Sequence, residues 1–89
     1  MLPIRMNIES TRHETEIEVR LGAQVIHAQS LRAGRSAEQE VVDAARSALQ
    51  RVSALGRPRR ILLKPLDSSD DRLAERLSGE LGVSVEIGI

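Results

Sequence analysis

Apolar and polar residues alternate in successive segments at the start of the chain. Every second residue is apolar from Leu2 to Ile8, and the same period returns from Thr15 to Leu21. A period of two predicts strands with one buried face. A third strand is predicted through residues 25–28, where Val25 begins a short apolar run.

A tight hairpin is predicted between the second and third strands. Gly22-Ala23 suits a two-residue turn, because glycine at the first position is what a type II′ turn requires. The turn implies a register that pairs Leu21 with Gln24, Arg20 with Val25, Val19 with Ile26, Glu18 with His27, Ile17 with Ala28 and Glu16 with Gln29. One face of the hairpin is then mostly apolar and the other mostly polar.

A period near 3.6 then predicts a helix. Its apolar stripe consists of Val41, Ala45, Ala48, Val52 and Leu55, widened by Val42, Ala44 and Leu49. Ser36 is the predicted N-cap, with Gln39 three residues on to complete a capping box. Gly56 is expected as the residue that ends the helix, and Pro58 blocks its continuation.

The remaining third of the chain predicts a strand, a helix and a last strand. Residues 61–63 are apolar without alternation, which is typical of a central parallel strand. Ser68 or Ser69 is the expected cap of a second helix, which ends at Gly82. Its buried stripe is predicted to be Leu73, Ala74, Leu77 and Leu81. Alternation from Val83 to Ile89 predicts the final strand.

The order of elements, β-β-β-α-β-α-β, predicts the architecture. Strand–helix–strand connections into parallel strands are right-handed, so a mixed five-stranded sheet of order 3-2-1-4-5 places both helices on one face. The other face is expected to be polar. It would carry Arg5, Asn7, Glu9, Glu14, Glu16, Glu18, Arg20, His27, Gln29, Ser84 and Glu86. We expect one α/β domain over residues 1–89.

Composition narrows the function. Thirteen basic and thirteen acidic residues cancel, so charge gives no case for nucleic acid or an acidic membrane. The chain has no aromatic residue on which bases could stack, and no cysteine for a disulfide or a thiolate metal site. No apolar run approaches the length that spans a membrane, and we expect a cytoplasmic location.

The sequence resembles a known group of proteins from about Thr15 onward. The hairpin "IEVRLGAQVIHAQSLRAG" and the segment "EVVDAARSALQRVSALGRPRRILLKPLDSSDDRLAERLSGELGVSVEIGI" are similar to corresponding stretches of actin-like proteins of the FtsA, PilM and GspL group. The resemblance implies one half-domain of the actin-like, ribonuclease H-like fold, in a protein of bacterial division, pilus or secretion assemblies.

Two nucleotide motifs of that family are absent where the resemblance would place them. The family's first strand carries an Asp near a Gly, whereas this chain has Met-Asn-Ile-Glu-Ser at residues 6–10. A Gly pair follows the family's fourth strand to let adenosine approach the backbone, and Lys64-Pro65-Leu66 stands in its place here. The resemblance therefore implies a scaffold that does not turn over ATP, and we expect no cofactor.

Other candidate sites have structural explanations. Glu9, Glu40 and Asp67 occupy roughly the stations of the metal-binding carboxylates in a ribonuclease H-type nuclease. Glu9 lies on the outward parity of its strand, so solvated surface is the favoured interpretation. His13 and His27 lie too far apart along the hairpin to share a metal ion. Arg57, Arg59 and Arg60 form a small basic cluster that we expect to solubilise a loop.

Asp67-Ser68-Ser69-Asp70 is a sharper short motif. A strand followed by Asp-Ser-Ser at a helix start resembles the phosphorylatable loop of STAS (anti-sigma-factor antagonist) domains. An ordinary helix cap with acidic first-turn residues is favoured over a phosphorylation site, because three nearby Asp residues oppose an added phosphate.

The leading prediction is a non-catalytic interaction domain that binds a protein partner or a second copy. The third and fifth strands should end the sheet with unpaired backbone groups. The predicted contact residues are Val25, His27, Leu31 and Glu86, with Val25 and Leu31 as apolar residues on the polar face. A switch at Ser68 or Ser69 is the alternative function, and a metal-dependent nuclease is the second alternative.

Overall fold

A five-stranded mixed sheet packs against two helices in the computed structural model, which describes residues 3–32, 37–64 and 71–88. The elements are β1 (Ile4–Ser10), β2 (Glu14–Leu21), β3 (Gln24–Arg32), α1 (Ala37–Arg51), β4 (Arg60–Lys64), α2 (Asp71–Leu81) and β5 (Ser84–Ile87). A single 3₁₀ turn, Ser53–Leu55, follows α1. The predicted caps Ser36, Ser68 and Ser69 lie outside the described residues.

The strand order is β3-β2-β1-β4-β5, as predicted. β1 pairs with β2 antiparallel and with β4 parallel, and β4 pairs with β5 parallel. The apolar run of β4 is therefore the central parallel strand that its lack of alternation predicted. β3 and β5 are the outer strands of the sheet.

The β2–β3 hairpin follows the predicted register for only two residue pairs. Gly22 has a φ of 62°, as the first position of a type II′ turn requires, and Leu21 and Gln24 flank the turn as predicted. A β-bulge then shifts the register between Val19 and Arg20. Ile26 is the extra residue, since Arg20 faces Val25 whereas Val19 faces His27.

The bulge makes part of the predicted hairpin wrong. Beyond it, Glu18 faces Ala28, Ile17 faces Gln29 and Glu16 faces Ser30. One inserted residue moves every later side chain of a strand to the opposite face. His27 and Gln29 therefore lie on the helix-covered face and not on the polar face.

The core lies between the sheet and the helices. It is built from aliphatic side chains and one methionine: Met6, Ile8, Ile17, Val19, Val41, Val42, Ala44, Ala45, Ala48, Val52, Ile61, Leu63, Leu73, Leu77, Leu81 and Val83. Alternate residues of β1 and β2 enter it, which confirms their predicted buried faces. Both helices cover the same face, because Arg76 of α2 donates to Glu38 of α1 at 3.1 Å and also contacts Gln39.

The first helix ends earlier than its apolar stripe predicted. α1 stops at Arg51, and the 3₁₀ turn that follows leaves Leu55 55% exposed, so its predicted place in the core is wrong. Gly56 ends the turn with φ 126° and ψ −166°, a conformation that is essentially confined to glycine. Gly82 ends α2 in the left-handed region at φ 66°, as predicted.

None of the helices in the described residues is long and apolar enough to cross a membrane.

Candidate functional site

The face of the sheet opposite the helices is uncovered in the described part of the chain. The strand registers place on it Arg5, Asn7 and Glu9 of β1; Glu14, Glu16, Glu18 and Arg20 of β2; Val25, Ala28, Ser30 and Arg32 of β3; Arg60, Leu62 and Lys64 of β4; and Ser84 and Glu86 of β5. We call this surface the open face. It is polar apart from Val25, Ala28 and Leu62, which agrees with the predicted two-layer arrangement.

The outer edge of β3 is long and uncharged. The strand has nine residues, and no Asp, Glu, Lys or Arg occurs from Gln24 to Leu31. Val25 lies on the open face beside Arg20 and is 43% exposed. β2, its inner neighbour, carries four charged residues in eight. The unpaired side of β3 is therefore a neutral row of backbone donors and acceptors.

Two predicted contact residues of β3 face the helices instead of the open face. Leu31 pairs with the buried Thr15 and packs against the core, so its predicted place on the polar face is wrong. His27 pairs with Val19 and not with Glu18, and it is half-buried. Its Nε2 atom is buried without a hydrogen-bond partner among the described residues. The bulge that causes both changes was not predicted from the sequence.

Glu86 lies on the open face of β5, as predicted. Its Oε2 accepts a hydrogen bond from Nη1 of Arg60 at 2.7 Å, and both side chains are exposed. An exposed pair of this kind contributes little to stability. β5 has only four residues and carries this ion pair, so it is a shorter and more charged outer strand than β3.

Acidic residues crowd the end of the open face where β1 finishes and β2 begins. Glu9 faces Glu16 directly across the two strands. A hydrogen bond that protonated Glu16 donates to Glu14 and the charge of Glu14 are the main causes that raise the pKa of Glu16, and Glu9 and Glu18 raise it further. Two basic residues lie at the same end, since Lys64 of β4 faces Glu9 and Arg32 of β3 faces Glu14.

The proposed nuclease carboxylates do not converge. Glu9 is on the open face, whereas Glu40 is an exposed residue of α1 on the other side of the sheet. No group of three His, Cys, Asp or Glu residues within the described ranges could hold a metal ion. His13 is exposed in the turn between β1 and β2. Asp67, Ser68 and Ser69 lie outside the described residues.

Basic residues gather at the opposite end of β1. A concavity of about 530 Å³ lies at this end, where β4 also begins. Its lining combines four arginines with three apolar residues and a glycine: Arg5, Arg57, Arg59, Arg60, Pro3, Ile4, Leu55 and Gly56. The sequence predicted the cluster of Arg57, Arg59 and Arg60 but missed Arg5 and Leu55. The early end of α1 brings Leu55 to this surface, and no periodic signal announced it.

The arginines of this concavity have different partners. Nη2 of Arg57 donates to the main-chain oxygen of Leu81 at 3.0 Å, which fixes that side chain against the end of α2. Arg60 is paired with Glu86. Arg5 and Arg59 have no ion pair within the described residues. The concavity therefore holds two guanidinium groups that are available to an anion.

Comparison with solved structures identifies the fold. The chain is similar to a Bacteroides thetaiotaomicron protein with an actin-like ATPase fold and unknown function, with TM-score 0.74 and 13% identity over 97% of this chain and 32% of that chain. It is similar to the ROK hexokinase from Thermus thermophilus, with TM-score 0.72 and 18% identity over 96% of this chain and 33% of that chain. The RuvC structure from Thermus thermophilus matches with TM-score 0.57 and 14% identity, over 96% of this chain and 63% of that chain.

These likenesses support the fold and nothing narrower. No sequence profile of a known protein family matches the chain, and no curated protein sequence matches it. The chain spans about a third of the first two structures and less than two thirds of the third. It has the ribonuclease H-like fold that actin-like proteins share, as its order of elements predicted. Its neighbours in fold include enzymes as well as a protein of unknown function.

Proposed function

We propose that this chain is a non-catalytic interaction domain with an actin-like half-domain fold, and that it binds a protein partner by strand addition at β3. The observation that carries the proposal is the neutral outer edge of β3. Strand addition uses main-chain hydrogen bonds for affinity and alternate side-chain pockets for specificity. This edge offers both over a length of about 30 Å.

Proteins usually protect the outer strands of a sheet from pairing with other chains. Short length, charged side chains, proline and bulges are the common means. β5 has the first two, since it is four residues long and carries Glu86. β3 has only the bulge at Ile26, and the strand beyond it runs on to Arg32 in regular register. An unprotected edge of this length is prone to pair with other chains in solution, which favours a partner strand.

The acidic end of the open face supports the non-catalytic part of the proposal. Parallel α/β sheets bind ligands beyond the carboxyl ends of their strands. In this chain, Glu9 lies near the carboxyl end of β1, and Glu14 and Glu16 lie beside it on β2. A triphosphate there would meet three carboxylates against the two basic residues that face them, Lys64 and Arg32. Calorimetry with ATP and magnesium tests this directly: we expect no heat of binding, and micromolar affinity overturns the proposal.

Site-specific photo-crosslinking tests strand addition in the cells that produce the protein. A photoreactive residue replaces Ala28, which is exposed on β3, or Ser84, which is exposed on β5. We expect a discrete crosslinked product from position 28 and none from position 84. Ser30→Lys, which adds a charge to the same edge, should abolish that product without changing the thermal stability of the domain. Equal crosslinking from both positions, or none from position 28, contradicts docking at β3.

A further inference from the structure

We propose that the arginine-lined concavity at the beginning of β1 and β4 is a second binding site, and that it takes an acidic peptide segment carrying one large aliphatic side chain. This site is separate from the β3 edge, because none of its lining residues belongs to β3. The proposal therefore stands or falls independently of strand addition.

The electrostatics of the concavity select an anion. Four arginines line it and no carboxylate does. The guanidinium of Arg57 is already bonded to the main-chain oxygen of Leu81, which lies outside the lining of the concavity. Arg5 and Arg59 are free of ion pairs within the described ranges, and a guanidinium group binds a carboxylate through two parallel hydrogen bonds. An acidic peptide supplies the carboxylates that these two side chains lack.

The placement of Arg5 adds an independent argument. Arg5 faces Arg20 directly across β1 and β2. The register of β1 with β4, in which Met6 faces Ile61, also puts Arg5 beside Arg60. Like charges placed opposite each other destabilise a sheet. Arg20 is paired with Glu18 and Arg60 with Glu86, so Arg5 is the member of this row without an ion pair in the described ranges, and a bound carboxylate would supply one.

The apolar part of the lining favours a ligand with a large aliphatic side chain. Leu55 is 55% exposed and lies in the concavity with Ile4 and Pro3. The 3₁₀ turn and the glycine-only conformation of Gly56 hold Leu55 in this position. A volume of about 530 Å³ is within the range of pockets that enclose small ligands. An aliphatic side chain of the peptide can cover Leu55 while its acidic neighbours reach the arginines.

A peptide fits these residues better than a nucleic acid does. Proteins that hold single strands stack the bases on aromatic side chains, and this chain contains none. Phosphate contacts alone also leave the apolar floor of Leu55, Ile4 and Pro3 exposed to water. The combination of arginine and aliphatic residues matches an amphipathic acidic segment.

Fluorescence anisotropy with three labelled peptides tests the proposal on the 89-residue chain. The first peptide has a single Leu flanked by two Glu on each side; the second replaces every Glu by Gln; the third replaces Leu by Ala. We expect saturable binding of the first peptide, at least tenfold weaker binding of the second, and at least threefold weaker binding of the third. Binding of the first should weaken as NaCl rises from 50 to 500 mM, as a charge-dependent contact requires.

Two charge-reversal variants locate the site. Arg59→Glu removes a free guanidinium from the concavity, and we expect it to weaken the first peptide at least tenfold. Arg12→Glu makes the same change in net charge at the exposed turn beyond the other end of β1, and binding should stay within twofold of the unmodified chain. Leu55→Ala should weaken the Leu peptide at least threefold and leave the Ala peptide unchanged.

Several results overturn the proposal. Equal effects of Arg59→Glu and Arg12→Glu mean that the peptide responds to net charge and not to the concavity. Equal binding of the Glu and Gln peptides removes the role of the arginines. The absence of an anisotropy change at millimolar protein leaves no peptide site at all. Tighter binding of a labelled oligonucleotide than of the first peptide assigns the concavity to nucleic acid instead.

Discussion

The two ends of β1 carry opposite charge although one strand forms both. At its beginning, Arg5 lies between Arg20 and Arg60, and the concavity with the apolar residues Pro3, Ile4 and Leu55 opens beside it. Near its end, Glu9 faces Glu16, and the open face around them is acidic. Between the two ends, Met6 and Ile8 are fully buried on the other side of the strand.

The difference in charge between these ends indicates which end of the sheet favours an anionic ligand. Glu9, Glu14 and Glu16 lie at the carboxyl end of β1, where α/β sheets usually bind ligands, together with the basic residues Lys64 and Arg32. The amino ends of β1 and β4 have the exposed Leu55, the concavity, and two arginines without an ion pair in the described part of the chain. Acidic side chains thus outnumber basic ones at the end of β1, whereas basic side chains outnumber acidic ones at its beginning. Fold alone does not determine which end is used.

A substitution in the core beneath β1 should destabilise the whole domain, including both ends of β1. This is the largest effect that we predict. Ile61 of β4 is fully buried and faces Met6 of β1. Ile61→Ala should lower the free energy of unfolding by about 2–5 kcal/mol, a large share for a small domain. Urea unfolding followed by circular dichroism measures it. Leu55→Ala, at an exposed aliphatic residue, is the control and should change stability by less than about 0.5 kcal/mol.

The backbone conformation at the basic end of β1 depends on a single glycine, Gly56. Gly56 has a φ of 126°, and a Cβ there lies 3.2 Å from Cδ1 of Ile4. Gly56→Ala should cost about 1–3 kcal/mol for the strained backbone. Gly79→Ala is the control, because it lies within α2 with open space around its Cβ, and it should stabilise by about 0.5–1 kcal/mol. A neutral Gly56→Ala contradicts the strained conformation.

The sequence predicted the fold well because its signals are local and repeated. Alternation over seven or eight residues defines β1 and β2, and an apolar run without alternation defines β4 as central. Right-handed connections then allow few arrangements of the sheet. Each of these inferences depends on several residues at once, so a single irregular position does not change the result.

The candidate sites were harder to predict because single residues decide them. One extra residue at Ile26 moved His27 and Leu31 to the helix-covered face, and no turn or proline marks the bulge. The end of α1 at Arg51 took Leu55 out of the predicted core, although its spacing continues the apolar stripe. Arg5 is 52 residues from Arg57 in the sequence, and only the pairing of β1 with β4 brings the two together.

Reversal of one charge should show that the basic end is not arranged for stability. Arg5→Glu converts a repulsive pair with Arg20 into an attractive one, so it should stabilise the domain by about 0.2–1 kcal/mol. Glu9→Arg should stabilise less, because Glu9 lies between Glu16 and the favourable Lys64. Urea unfolding at 20 mM NaCl and at 500 mM NaCl measures both, and the gain should shrink in high salt. A destabilising Arg5→Glu is the result that contradicts repulsion in this row.

The titration of Glu16, at the acidic end of β1, should have the smallest effect on the free energy of unfolding. Its neighbours raise the pKa of Glu16, so the folded state holds this proton more tightly than the unfolded state. Stability from this group is therefore present at low pH and is lost as the pH rises through the ordinary glutamate range to the raised pKa. Relative to Glu16→Gln, the unmodified chain should lose unfolding free energy as the pH rises through this range. Glu14→Gln removes the largest cause of the shift, so an NMR titration should show the pKa of Glu16 falling in that variant. If the pKa of Glu16 is unchanged in Glu14→Gln, the interaction between these two carboxylates is contradicted.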